Sequence, residues 1–301
     1  MTASAPVKGS STITMGVNNY GKAKVRLVKV TRTPGRHLLK DLTVRVALEG
    51  DFVDAHVTGD QSNVVATDTM KNTVYALAKD HLTGSSEAYG LALASHFLQF
   101  PQVSRSTVSI AEHRWSRLSV DGAPSDHAFM RTGDLTRTAV ISTTRERATM
   151  DAGIEDLVVM KTTQSAFAGF PRDRFTTLKD TDDRIMATKV TASWRYDRTD
   201  LDFDATFDAV TKTILDVFAE HFSPAVQTSI WLMGEAVLQR HPSVSQISFA
   251  MPNLHHWLVD LSPFGMTNDK EIYVATSEPH GLIEATIQRT TASVAPIGDS
   301  P

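Results

Sequence analysis

Leu42, Val44, Val46 and Leu48 interleave with Thr43, Arg45, Ala47 and Glu49. That period of two predicts a strand with one buried face. Val25, Leu27, Val28 and Val30 supply a hairpin partner, joined through the turn residues Thr33-Pro34-Gly35-Arg36. The period then lengthens. Met70, Val74, Leu77 and Ala78 share one helical face, and a second helix starts near Ser85-Ser86-Glu87, shows Leu91, Ala94 and Leu98, and stops before Pro101. Strands resume at 108–118 and 139–142. The order is strand, strand, helix, helix, strand, strand.

The same order returns. Strands are expected at 157–160 and 185–196, helices at 206–220 and 226–240, and further strands at 245–251, 257–261, 271–275 and 283–288. The second of these helices carries Ile230, Met233, Val237 and Leu238. Each half also runs from a helix end through a proline and an alternating strand to a His-x-Trp sequence. These are His113-Arg114-Trp115 after Pro101 and His255-His256-Trp257 after Pro242. The pattern predicts a duplication. The α+β halves span 14–143 and 154–290, each with a four-stranded antiparallel sheet and two helices on one face. The charged stretch 144–153 reads as the linker, and 1–13 and 291–301 as flexible tails. Sheets covered on one face leave edges that need partners, and closure into a β-barrel by oligomerisation would remove them.

Composition narrows the function classes. The 301 residues are 41% hydrophobic and carry a formal net charge of −4. A phosphate-binding surface would normally be basic, so nucleic acid is not an expected partner. Cysteine is absent, which removes disulfides, zinc–thiolate sites and cysteine nucleophiles. No apolar run reaches membrane-spanning length. The first fifteen residues lack the apolar segment of a leader, and the last four, Gly-Asp-Ser-Pro, are not a peroxisomal signal. A cytoplasmic protein without a membrane partner is the expectation.

Familiar catalytic motifs are missing: there is no phosphate loop, Gly-x-Gly-x-x-Gly, His-Glu-x-x-His or Gly-x-Ser-x-Gly. The adjacent His255 and His256 would point to opposite faces of a strand, so no metal site is expected. Subtler signals remain. In Val65-Ala66-Thr67-Asp68-Thr69 an apolar chain runs straight into a helix, with three residues able to cap it. Ser223-Pro224-Ala225-Val226-Gln227 resembles it in the second half, with Ser223 able to cap and Pro224 suited to the first turn. Free N–H groups at two helix starts, one per half, could face one planar anion. Taken singly, Lys22, Phe167, Arg184 and Asn253 are no more than a solvated lysine, a core aromatic, a surface charge and a turn asparagine.

Taken together, the segments resemble the urate oxidase (uricase) family of the tunnelling-fold superfamily. The matching blocks are Tyr20-Gly21-Lys22, 65–73, His113-Arg114-Trp115, Phe167 to Phe170 with Arg172-Asp173, 175–179 with Asp183-Arg184, Val226-Gln227, and Pro252-Asn253-Leu254-His255. They lie in order from about Val17 to Arg289. Ala168 and Leu254 depart from the eukaryotic pattern, which often has an aromatic and a lysine there.

The resemblance implies a tandem duplicated tunnelling fold and a homotetramer with active sites between subunits. It implies oxidation of urate by dioxygen and water, without cofactor, to 5-hydroxyisourate and hydrogen peroxide. Carried over residue by residue, Lys22, Thr67 and His255 form a proton relay. Arg184 and Gln227 grip one edge of the substrate with the Val226 N–H, Thr67 and Asp68 hold the opposite edge, Phe167 stacks on the ring, and Asn253 holds dioxygen. Related cyclohydrolases on this fold commonly need zinc or a reactive cysteine. A purine binder without activity would keep Phe167, Arg184 and Gln227 but lose the relay.

Overall fold

The computed structural model describes residues 13–290. The tails expected to be flexible lie outside the described residues, Ile13 aside. The chain forms two compact units. One ends at Leu157 and takes in Thr199–Phe207; the other comprises Val158–Arg198 and the chain from Asp208 onward.

In the first unit β1 (Tyr20–Thr33) and β2 (Arg36–Gly50) form an antiparallel hairpin. Its turn needs Gly35, whose φ is +77°. Leu42, Val44, Val46 and Leu48 are all fully buried, as their alternation requires. After a short helix α1 (Val53–Val57) come α2 (Thr67–His81) and α3 (Ser86–Phe97). Met70, Val74 and Ala78 bury one face of α2. On α3 the buried face is Tyr89, Leu93, Ala94 and Phe97, while Leu91 and Leu98 are half-buried. The face is rotated from the expected one because α3 approaches the sheet at Gly90. A Cβ there would come within 2.5 Å of Ile141 Cδ1.

Long strands β3 (Val103–Val120) and β4 (Ala123–Thr143) follow. Most of β4 was unexpected. Its first half pairs with the end of β3 in an exposed ribbon beyond the helices. A strand with no buried face shows no alternation. The ribbon turns at Asp121-Gly122, both with positive φ, the requirement of a tight type I′ hairpin. The expected linker is also mostly strand. Thr144 to Arg147 make a turn, closed by a 2.8 Å backbone bond, and β5 (Ala148–Lys161) then pairs with β4. Charges at 145–147 obscured the alternation of Met150, Ala152 and Ile154, which are buried.

The second unit centres on β7 (Val244–Leu258). One edge pairs with β6 (Met186–Tyr196). The other pairs first with β9 (Leu282–Gln288) and then with β8 (Tyr273–Thr276). Sequence reading breaks this strand at Pro252, yet the chain continues, because Pro252 sits where pairing passes from β9 to β8. Helix α4 (Phe203–Glu220) begins with residues of the first unit and continues in the second. Helix α5 (Val226–Arg240) buries Ile230, Met233 and Val237. Here Gly234 repeats the device of Gly90: a Cβ would stand 2.7 Å from Ile287 Cδ1. Each unit is therefore α+β, with an antiparallel sheet. No helix among the described residues is long and apolar enough to cross a membrane.

Candidate active site

Lys22, Thr67 and Asp68 belong to the first unit. Lys22 lies on β1 opposite Val46, just before a bulge that ends at Val25. The close approach of β1 to β2 depends on Gly21, where any Cβ would lie 1.8 Å from the Val46 carbonyl oxygen. Thr67 and Asp68 open α2. The helix starts one residue earlier than the capping residues suggest, so Ala66 is the N-cap and no side chain caps it. Thr67, Asp68 and Thr69 occupy the first turn, where backbone N–H groups have no intrahelical acceptor. The Asp68 carboxylate is held by Lys71 and by Asn72 Nδ2 at 3.0 Å. These contacts lower its pKa, led by the Lys71 hydrogen bond and charge, with a smaller pull from the charge of Lys22. With its side chain so engaged, Asp68 offers a ligand mainly its backbone.

Phe167, Arg184, Val226, Gln227, Asn253 and His255 belong to the second unit. Their junction is Ser165, which is fully buried. It forms a parallel bridge with Ser223, Ala166 N donating to Ser223 O at 2.8 Å. Ser165 O accepts from Arg184 N at 2.8 Å, and Phe167 and Thr181 exchange backbone bonds of 2.8 and 2.9 Å. Three separate segments are thus fixed by main-chain bonds rather than by flexible side chains.

The Arg184 guanidinium then lies over the Phe167 ring, 5.3 Å from its centroid, with Nε 3.4 Å from Ser165 Oγ. Burial lowers its pKa, although a guanidinium stays charged at any physiological pH. Phe170 stacks on the Phe167 ring at 4.9 Å and 13°. The intervening Gly169, at φ +75°, lets the chain turn back for that stack.

Ser223 does not cap α5. Its hydroxyl is buried and bonds Ala225 O at 3.1 Å and Ser229 Oγ at 2.8 Å, and His221 Nε2 joins Ser229 Oγ at 2.8 Å. Ala225 is the N-cap, without a capping side chain, and Pro224 precedes the helix. The two helix starts singled out in the sequence are alike in lacking a side-chain cap, and for the same reason: the expected capping residues lie one or two positions off.

Asn253 and His255 share a face of β7, with Asn253 Nδ2 3.5 Å from His255 Nδ1. Asn253 N donates to Gly281 O at 2.8 Å. Trp257 stacks on the His255 ring at 5.1 Å. The His255 pKa is lowered, first by burial and then by the charges of Arg184, His280 and His256. A cleft of about 620 Å³ brings Phe167, Arg184, Asn253 and His255 together. Val226 and Gln227 are not in its wall but are tied to it through Ser223 and Ser165. Sequence reading missed Ser165, Trp257 and His280 as parts of the site. A buried serine gives no periodic signal, and Trp257 stood out only through the repeated His-x-Trp pattern. Among the described residues no three histidine or acidic side chains gather as a metal site would require.

The antiparallel α+β architecture is that of the tunnelling fold, and the cleft with Arg184 over Phe167 lies within its second unit. The family model described as Uricase matches residues 18–142 and 150–284, and the chain belongs to that family. It is 47% identical over 290 residues to a uricase from Arthrobacter globiformis, covering 96% of this chain and 94% of that one. A Dictyostelium discoideum uricase is 39% identical over 277 residues, covering 91% and 96%. The crystal structure of the Arthrobacter globiformis uricase superposes with a TM-score of 0.89 at 46% identity, covering 95% of this chain and 99% of that one.

Proposed function

We propose that the protein oxidises urate with dioxygen and water, giving 5-hydroxyisourate and hydrogen peroxide, and that it does so without a cofactor in a cytoplasmic homotetramer. The carrying observation is the cleft in which Arg184, Phe167, Asn253 and His255 converge in a chain of the uricase family. Triplet dioxygen reacts slowly with closed-shell molecules. An electron-rich purine anion can donate an electron itself if it is deprotonated and held dry, which leaves the protein positioning, electrostatics and proton transfer.

In this reading the flat anion lies on Phe167, where aromatic stacking suits a heterocycle. Arg184 meets one edge as a fork, strengthened by partial desolvation. Gln227 and the Val226 N–H complete that edge. Thr67 and the Asp68 N–H of a neighbouring subunit take the other. Lys22 tunes the Thr67 hydroxyl and His255 couples it to water. The lowered pKa of His255 keeps it neutral and able to accept a proton near pH 7. Asn253 holds dioxygen and then the attacking water over the ring. Two electrons pass from urate to dioxygen, which leaves as peroxide, while water supplies the new hydroxyl. Metal-free protein should consume urate in air and release peroxide. A pure binder would shift the ultraviolet band of urate without depleting it.

A further inference from the structure

We propose that Tyr20 is a positioning residue, whose phenol grips Val65 by both backbone polar groups and so sets where Thr67 stands relative to Lys22; this rests on the relay reading above. Tyr20 Oη accepts from Val65 N at 2.8 Å and donates to Val65 O at 3.1 Å. The ring meets Phe52 edge-on at 4.7 Å, and Phe52 is itself 1% exposed. The first end of the grip is rigid, because Gly21 seats β1 directly against the Val46 carbonyl. The second end needs holding. No side chain caps α2 at Ala66, so the direction in which the chain enters the helix is set upstream, at Val65. Lys22 is two residues beyond Tyr20 and Thr67 two beyond Val65. One phenol therefore couples the two strand and helix ends that carry the relay. Burial raises the Tyr20 pKa, so the hydroxyl keeps its proton, and with it the bond to Val65 O, across the working range.

The test is Tyr20→Phe in the full-length protein, which keeps the ring on Phe52 and removes both bonds. The expected result is a fall in kcat for urate of about ten- to a hundredfold, the scale of a misplaced catalytic group. KM, set in this reading mainly by Phe167 and Arg184, should change by less than about twofold, and amide exchange should accelerate at 64–70. In a Lys22→Met background the same change should lower the residual kcat by less than about twofold, since residues acting as one unit are not additive. A wild-type kcat, or an equal fold loss in both backgrounds, overturns the proposal. If the parent protein leaves urate untouched, the relay reading fails by itself. Exchange then decides the grip: acceleration confined to 64–70 supports it, and unchanged exchange overturns it.

Discussion

His255 sits where burial first, and then the charges of Arg184, His280 and His256, disfavour its charged form. Its folded pKa therefore lies below the ordinary imidazole value of about 6.5. As pH falls the ring gains a proton and can no longer accept one, so the acid limb of kcat/KM should appear below that value. Removing one neighbouring charge by His280→Ala should move the limb upward, and a limb already at or above the ordinary value would contradict the account. Around the relay, Thr67→Ala and Lys22→Met should each lower kcat strongly while size-exclusion profiles stay unchanged. Phe167→Ala acts on a different term. It removes the stacking surface, so steady-state kinetics should show a raised KM, with kcat less affected. The expectation for most of these side chains comes from the sequence only as a set, through family resemblance. Singly, Arg184 looked like surface charge, since nothing in Thr181-Asp182-Asp183 announces that a main-chain bond to Ser165 will turn it over an aromatic ring.

Elements explain which local readings held. Strands with one buried face were legible, because alternation records burial directly: Leu42 to Leu48 is the clearest instance. The exposed ribbon of β3 and β4 was not legible, since both its faces are polar or open. Helix starts were found to within three residues, the unexpected short α1 aside, yet neither α2 nor α5 is capped by the residue type that marked it. Close packing makes its own demands. Gly21→Ala would drive a Cβ into the Val46 carbonyl, and overpacking of this kind costs about 1–3 kcal/mol or more. Chemical denaturation should register that loss, together with reduced turnover, since Lys22 follows directly. Across the first unit, Arg137 of β4 binds Glu87 of α3 at 2.6 Å, with side chains 3% and 0% exposed, and also Asp204 at 2.5 Å. Glu87→Ala would remove the fully buried partner of this cation and leave it to Asp204, so the loss should approach, without reaching, the roughly 3–5 kcal/mol of a wholly unpaired buried charge. Asp204→Asn, at a more exposed partner, should cost much less in the same denaturation experiment.

At the scale of the whole molecule, the proposed site needs Lys22 and Thr67 from one subunit and Phe167, Arg184 and Gln227 from another. Co-assembly of inactive Lys22→Met and Arg184→Gln chains should then restore part of the activity, because some mixed sites carry both intact groups. Confirmed mixed tetramers without any rescue would contradict shared sites. The amino-acid order alone determined the α+β class and the burial of the strand cores, because periodic burial is written residue by residue along the chain. Tertiary structure decided the rest. The stack of Arg184 on Phe167, the junction at Ser165 and the grip of Tyr20 on Val65 join residues 17 to 58 positions apart. Such contacts depend on where whole strands and helices come to rest, and no local pattern encodes that.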